Sequence, residues 1–163
     1  MPNKKSNRVP WSTGDYFAVP LVDGTVGIGQ VLDLMMKNIV SVVLVHRRYG
    51  SVLEARSAIG ASPVSPTEIF AALSTWRDPV DDGRWPIIGH GDVLLTREQW
   101  PNERYRAVNW VGARHFNTAL VEGLSSAFYA LAPWDGLHDP NFYDRLLISR
   151  DKKPSTLIYS KKS

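Results

Sequence analysis

The sequence from residue 15 to residue 45, DYFAVPLVDGTVGIGQVLDLMMKNIVSVVLV, contains three apolar segments separated by short links. Residues 15–21, 26–32 and 39–45 are rich in the aromatic and β-branched side chains that favour strands. The Asp-Gly pair at positions 23 and 24 is a strong hairpin signal between the first two segments. Three consecutive strands joined in this way predict an antiparallel meander.

Details of the three segments predict how the sheet is built. Pro20 has no N–H to donate to a neighbouring strand, which favours an edge or a bulged position for the first segment. Gly27 and Gly29 share one face of the second segment, where we expect a close backbone approach or the strong coiling of a small barrel. The third segment, residues 39–45, is almost continuously apolar and is therefore expected to be covered on both faces.

The C-terminal third of the chain is predicted to be helical. Leu120, Leu124, Phe128 and Leu131 recur at helical spacing and form an apolar stripe. The Asp-Pro pair at positions 139 and 140 is typical of the start of a second, shorter helix. We therefore expect an α+β fold, with a strongly bent, partly barrel-like antiparallel sheet and two C-terminal helices packed on it.

The middle of the chain is less regular. Residues 69–76 are apolar and suit either a strand or a helix. Residues 78–83 are rich in Asp, Pro and Gly and predict an acidic turn. Other segments have a local preference for a helix or a strand. We predict a short helix over 51–59, strands over 85–90, 92–95 and 107–111, and a late strand over 156–159.

The bulk properties indicate one globular domain in a reducing compartment. A length of 163 residues, with 44% hydrophobic and 21% charged residues, is ordinary for a single domain. The chain has no cysteine, which excludes disulfides and thiolate chemistry. The N-terminal residues lack the apolar segment of a signal peptide, and the longest apolar run is far shorter than the roughly 20 residues of a membrane helix. We expect residues 11–149 to form one domain in the cytoplasm, away from membranes.

The basic charge is concentrated at the two ends of the chain. The net charge of +3 divides into +3 on residues 1–10, +4 on residues 150–163 and −4 on the remaining body. We interpret both ends as flexible basic tails that aid solubility. Nucleic-acid binding through these tails is a third functional alternative, and the acidic body between them argues against it.

The sequence contains no recognisable catalytic motif. It has no Gly-x-Ser-x-Gly elbow, no phosphate-binding glycine loop and no pair of histidines at metal-binding spacing. The four histidines are interpreted as surface or hydrogen-bonding residues, and no cofactor is expected. His90 and Asp92 are the residues that a metal-dependent alternative would use. The chain is therefore expected to bind another protein and not to catalyse a reaction.

Two groups of residues are candidates for contact with a protein partner. Trp100 lies in a polar stretch with Arg104, and tryptophan and arginine are enriched among the residues that dominate binding energy. Trp100 is either an exposed anchor or a cap on the core under a loop. The second group is acidic and is either a patch for a basic partner or a solvated turn; it consists of Asp78, Asp81 and Asp82.

Several of these segments resemble the immunity protein 26 family. That family opens with a Gly-Asp pair, an apolar strand ending in Pro-Leu, an Asp-Gly turn and a glycine-bearing second strand. The residues that carry the resemblance are Trp11 and residues 14–21, 23–24 and 27–32. A looser similarity includes residues 83–90, Trp134, His138 and residues 145–146, so that it spans roughly residues 11–148. Gln30 departs from the arginine expected in many members.

The resemblance implies a cytoplasmic antidote in a bacterial polymorphic toxin system. Such a protein binds a cognate toxin domain and neutralises it by stoichiometric protein–protein inhibition. The same grouping also carries a phosphotriesterase label, which implies a small metal-dependent hydrolase as the second alternative. A body charge of −4 would suit a basic toxin such as a nuclease.

Overall fold

A computed structural model describes residues 8–160. Most of the predicted N-terminal tail, residues 1–7, and the end of the predicted C-terminal tail, residues 161–163, lie outside the described residues. The described part is an α+β fold built on one five-stranded antiparallel sheet, in the order β4-β3-β2-β1-β5. The strands are β1 (Asp15–Pro20), β2 (Val26–Met36), β3 (Ile39–Tyr49), β4 (Ile69–Trp76) and β5 (Ile87–His90).

The predicted meander is confirmed and forms the centre of the sheet. β2 and β3 continue four residues beyond the predicted segments, and their pairing is interrupted by three register shifts. Such bulges bend strands and increase their twist. The two outer strands, β4 and β5, do not pair with each other in the described structure, so the sheet is not closed into a barrel.

Within residues 8–160 the sheet is accompanied by four α-helices: α1 (Val52–Ala61), α2 (Asp78–Asp81), α3 (Thr118–Phe128) and α4 (Phe142–Leu146). The side chain of Asn117 caps α3, because its Oδ1 accepts the N–H of Leu120 at 2.9 Å. Ser51 caps α1 in the same way through the N–H of Glu54 at 3.1 Å. The predicted helix over 51–59 and the two C-terminal helices are therefore confirmed.

Both faces of the sheet are buried, as expected from the apolar character of β3. On one face, α3 and α4 pack against β-strand residues such as Val31 and Leu44, together with the buried Trp85 and Trp134. On the other face, Ala55 and Ile59 of α1 pack against a second apolar cluster; its strand residues include Ile28, Leu32, Val43 and Val45. Each fully buried aliphatic side chain stabilises the fold by about 1.5–3 kcal/mol.

The glycine pattern of β2 reflects one tight contact. The ring of Phe17 on β1 lies over Gly29, where an added Cβ would stand 2.4 Å from the Phe17 Cζ atom and 2.9 Å from the Val43 carbonyl oxygen. The close approach predicted at this face is therefore present, with an aromatic ring as the main neighbour. Pro20 is tolerated because β5 pairs only with residues 15–17 of β1, where a bulge lies between Tyr16 and Phe17.

Several expectations for the middle of the chain are corrected or resolved. Residues 69–76 form strand β4, and the acidic segment 78–83 contains the short helix α2. The expected strand over 107–111 is wrong, because Asn109 and Trp110 have positive φ angles that a strand does not accept. The expected strand over 92–95 is also absent from the described structure, and residues 156–159 contribute only an isolated bridge between Pro133 and Ile158.

Gln30 explains why residues 92–95 follow an irregular path. Its side chain is fully buried, and its Nε2 donates to the carbonyl oxygens of Asp92 at 2.8 Å and Gly14 at 3.2 Å. Its Oε1 accepts the N–H of Leu94 at 3.0 Å. The amide therefore binds the backbone groups that a strand would have offered to a neighbouring strand, and it fixes the start of the connection that follows β5.

Candidate protein-binding surface

The connection between β5 and α3 is the largest irregular segment of the described chain. It runs over residues 91–117 and contains two short 3₁₀ turns, Arg97–Gln99 and Glu103–Val108, but no α-helix or strand. Connections of more than about 15 residues without regular structure are uncommon in compact domains and are often functional. We refer to residues 97–114, the central part of this connection, as the arginine–aromatic loop.

The arginine–aromatic loop takes its name from three side-chain pairs. In each pair, a guanidinium group lies over an aromatic ring, at distances from the ring centroid of 5.8, 4.7 and 4.8 Å. The pairs are Arg97 on Trp100, Arg104 on Tyr105 and Arg106 on Trp110. Cation–π contacts of this kind are attractive by about 0.5–1 kcal/mol at exposed sites. Trp, Tyr and Arg are also the residue types most enriched at the energetic centres of protein interfaces.

A charged network holds the loop in shape. The Glu103 carboxylate accepts Nε–H groups from Arg106 at 2.7 Å and from Arg97 at 3.1 Å. The hydrogen bond from Arg106 is the main reason that the pKa of Glu103 lies below its usual value. Arg106 also donates to the Asp33 carboxylate on β2 at 2.9 Å. Arg106 therefore links the loop to β2 through Asp33.

Three non-glycine residues of the loop have left-handed backbone conformations: Asn102, Asn109 and Trp110, with φ of 64°, 56° and 65°. Asparagine tolerates this region, but tryptophan rarely occupies it, and such residues cluster at functional sites. The turn at Trp110 leaves Val108 and Val111 exposed, at 55% and 73% of their surface. The loop therefore presents apolar side chains to solvent beside its arginines.

The carboxamide of Asn102 joins the two ends of the loop. Its Oδ1 accepts the N–H of Arg114 at 2.9 Å, and its Nδ2 donates to the carbonyl oxygen of Arg114 at 2.7 Å. The same Nδ2 lies 3.0 Å from the hydroxyl of Ser74 on β4. Asn102 thus attaches the loop to the β4 edge of the sheet.

The structure brings Trp100 and Arg104 together in this loop. Trp100 is half-buried against the apolar cluster under α1, and its Nε1 donates to the carbonyl oxygen of Leu95 at 2.8 Å. Its indole therefore caps the core while part of its surface remains accessible, beside Arg97. Arg104 is exposed, and its guanidinium also donates to the Tyr105 hydroxyl at 2.7 Å.

The three acidic candidates occupy different environments. Asp78 and Asp82 are exposed on and just after α2, whereas Asp81 is buried. The Asp81 carboxylate accepts hydrogen bonds from Arg77 Nε and from Trp11 Nε1, both at 2.7 Å. Burial opposes ionisation of Asp81, but these hydrogen bonds outweigh it and hold its pKa below the usual value. The structure therefore places Asp81 in the support of the fold and leaves Asp78 and Asp82 accessible.

An open cleft of about 440 Å³ lies between residues 8–13, the start of α2 and the end of β2. Its lining includes Trp11, Arg77 and Asp81 on one side and Asp33 and Leu34 of β2 on the other. Asp33 is the residue that binds Arg106 of the loop. The two groups of candidates are therefore connected through the end of β2.

The structure places His90 and Asp92, the residues of the metal-dependent alternative, in different hydrogen-bond environments. Nδ1 of His90 lies 2.8 Å from the Asp15 carboxylate, and the backbone oxygen of Asp92 accepts a hydrogen bond from Gln30. Within residues 8–160, no group of three or more His, Asp or Glu side chains is placed to hold a metal ion. None of the helices in the same range is long and apolar enough to cross a membrane.

Sequence reasoning missed Trp110, Arg106 and Asn102. The strand expected over 107–111 would have separated Arg106 from Trp110, whereas the turn at Asn109 brings them together. The sequence contains part of the signal, since asparagine tolerates positive φ in turns, but nothing in it indicates the positive φ of Trp110. Asn102 gave no signal, because its partners Arg114 and Ser74 are distant in sequence.

Comparison with known proteins identifies one family. The family described as Immunity protein 26 matches residues 12–116. No curated protein and no solved structure gives a significant match. The matched range contains all five strands of the sheet and the whole arginine–aromatic loop. Because it spans more than half of the sequence, this chain belongs to the immunity protein 26 family.

Proposed function

We propose that this protein is a bacterial immunity protein that binds the toxic domain of a cognate polymorphic toxin and neutralises it as a stoichiometric inhibitor in the cytoplasm. Membership of the immunity protein 26 family supports a role in toxin immunity. The arginine–aromatic loop is the observation that supports the location of the binding site, because it contains three arginine–aromatic pairs in a segment without helix or strand. Inhibition by direct contact requires no catalytic residues and no cofactor.

The centre of the proposed interface is formed by Trp110 and Tyr105 with the arginines that lie over them. Both rings are half-buried, so a partner would complete their burial at a small further entropic cost. The exposed Val108 and Val111 add apolar surface beside them. Interfaces commonly combine such an aromatic and apolar centre with a polar rim.

The rim of the proposed interface contains charged residues that are free to meet a partner. Arg104 lies within the loop, and Asp78 and Asp82 lie on and just after α2, beside Asp81. Charges at a rim steer association and select partners more than they add affinity. In this proposal Trp100 supports the loop from below and contributes its accessible edge, while Asp81 acts indirectly, by holding Arg77 and Trp11 in place.

A binding and rescue assay tests the proposal. The full chain is used to capture the C-terminal domain of the toxin-like protein encoded next to it, and cells producing that domain are tested for rescue. A matched pair of variants then locates the interface. Val111→Asp lies in the loop, and Leu53→Asp lies on α1; the two side chains are 73% and 74% exposed.

We expect wild-type protein and Leu53→Asp to bind and to rescue equally. Val111→Asp should weaken binding by at least about tenfold, which corresponds to about 1.4 kcal/mol. Full rescue by Val111→Asp would show that the interface does not include this part of the loop. If the wild-type chain neither binds nor rescues, the proposed immunity function is wrong. The next assay then compares phosphotriester hydrolysis by the wild-type chain and by the His90→Ala variant.

A further inference from the structure

The charge of the arginine–aromatic loop is opposite in sign to that of the rest of the domain. Residues 97–114 contain four arginines and two glutamates, which gives them a net charge of +2. Residues 11–149 together have a net charge of −4, so the domain outside the loop has a net charge of −6. The loop is therefore a local basic region on an acidic domain, and the charge of the whole domain does not describe the surface that the loop presents.

Carboxylates of the chain balance two of the four loop arginines. Glu103 accepts hydrogen bonds from Arg97 and Arg106, at 3.1 and 2.7 Å. Arg106 also donates to the Asp33 carboxylate of β2. These two carboxylates meet these two guanidinium groups, so this part of the loop has no excess charge to offer a partner.

The other two arginines, Arg104 and Arg114, are exposed and carry the excess positive charge. Neither forms an ion pair with a carboxylate within residues 8–160. The guanidinium of Arg104 lies 4.7 Å from the centroid of the Tyr105 ring and donates to the Tyr105 hydroxyl; these contacts orient the group but leave its charge unbalanced. The remaining glutamate of the loop, Glu98, lies in the first 3₁₀ turn, before Trp100.

Two contacts bring the backbone segments of Arg104 and Arg114 together. Asn102, two residues before Arg104, binds both backbone groups of Arg114 through its side chain. Gly112, two residues before Arg114, packs against the Tyr105 ring, where an added Cβ would stand 2.8 Å from the Tyr105 Cε1 atom. The segments that carry the two unbalanced arginines therefore lie close together, beside the Tyr105 ring.

We infer that the toxin surface bound by this loop is acidic and that its carboxylates bind Arg104 and Arg114. A guanidinium group can bind a carboxylate through two parallel hydrogen bonds, and such charge-assisted bonds are stronger than bonds between neutral groups. Arginine is also less strongly hydrated than lysine, which favours its use in interfaces. The inference rests on the proposed function and adds the chemistry of the partner. It predicts an acidic contact surface in place of the basic nuclease surface that the charge of the whole domain would suit.

Carbodiimide cross-linking tests which group of the toxin lies beside each arginine. The variants Arg104→Lys and Arg114→Lys keep the positive charge and introduce an amine, which a carbodiimide couples to a carboxylate in contact with it. Each full-length variant is mixed with the purified C-terminal toxin domain, and cross-linked peptides are identified by mass spectrometry. We expect amide links from each introduced lysine to Asp or Glu side chains of the toxin. The control Arg56→Lys, at an exposed position of α1, should give none.

Charge reversal measures how much these contacts contribute to binding. Arg104→Glu and Arg114→Glu should each weaken toxin binding by at least about tenfold at low salt, because each places a carboxylate against a carboxylate. The matched control is Arg56→Glu, which changes the net charge by the same amount at an exposed position of α1 and should bind within about twofold of wild type. Urea unfolding of all three variants verifies that the fold is retained.

The outcomes separate this inference from the proposed function. Cross-links to toxin carboxylates together with weakened binding by both charge reversals support the inference. If the wild-type chain binds the toxin domain but either reversal leaves the affinity unchanged or increases it, or if the introduced lysines form no link to the toxin, the inference is wrong and the immunity function stands. If the wild-type chain does not bind the toxin domain, the proposed function is wrong, and this inference fails with it.

Discussion

The side chain of Asn102 binds both backbone groups of Arg114, twelve residues later, through an N–H to Oδ1 contact of 2.9 Å and an Nδ2 to carbonyl contact of 2.7 Å. Asn102 has a left-handed backbone with φ of 64°, so its position is set by the turn and not by a regular element. One amide therefore closes the arginine–aromatic loop and, through the Ser74 hydroxyl, attaches it to β4.

The substitution Asn102→Gly is expected to destabilise the protein by about 2 kcal/mol. Glycine accepts the left-handed backbone, so the loss reflects the missing hydrogen bonds of the carboxamide. The matched control is Asn109→Gly, because Asn109 has φ of 56° and no side-chain hydrogen bond with other described residues. Urea unfolding measures both variants, and the control should remain within about 0.5 kcal/mol of wild type. Equal stabilities for the two variants would contradict the role given to the Asn102 side chain.

The carboxylate of Asp81 predicts how stability depends on pH. Its folded pKa is below the usual value, because hydrogen bonds from Arg77 and Trp11 outweigh the effect of burial. A group of this kind contributes stability that is complete above the unfolded pKa of about 4 and is lost as pH falls through the folded pKa. Arg8 lies 3.9 Å from the same carboxylate and acts in the same direction.

We therefore expect Asp81→Asn to lower the free energy of unfolding by about 1–3 kcal/mol at pH 7. The difference from wild type should shrink as the pH falls below 4, because wild-type Asp81 then becomes protonated as well. Urea unfolding at pH 7, 4 and 2.5 measures this change. Asp78→Asn, on the same short helix but exposed, should show a difference below about 1 kcal/mol at every pH. A difference for Asp81→Asn that stays constant with pH would show that the lost contacts do not depend on its charge.

Local sequence patterns predicted the parts of the fold that depend on neighbouring residues. The β1–β2–β3 meander follows from β-branched segments and an Asp-Gly turn, and α3 follows from its apolar stripe and the cap at Asn117. These signals act within a few residues, so they are visible without the tertiary structure. The family resemblance over the opening strands is confirmed by the match to residues 12–116.

Contacts between distant residues account for what the sequence did not predict. Gln30 binds backbone groups of Asp92 and Leu94, about sixty positions away, and this prevents the strand expected over 92–95. Trp100 and Arg104 are predicted from the sequence as contact residues, and the structure places both in the arginine–aromatic loop, where their role stays a prediction. The pairing of Arg106 with Trp110 depends on the left-handed backbone of Asn109, which its residue type favours, and of Trp110, which its residue type does not indicate.

The contact between Phe17 and Gly29 gives a test of packing at the centre of the sheet. Gly29→Ala would place a methyl group 2.4 Å from the Phe17 ring and 2.9 Å from the backbone oxygen of Val43. Since the backbone oxygen belongs to a central strand and has little freedom to move, the substitution should destabilise the protein by about 1–3 kcal/mol.

The control is Gly60→Ala in α1, where an added methyl group meets no atom within 4 Å. Alanine is favoured over glycine within a helix, so the control should stabilise the protein by up to about 1 kcal/mol. Thermal and urea unfolding of both variants measures these opposite effects, and a neutral Gly29→Ala would contradict the tight packing of Gly29 between Phe17 and the Val43 backbone.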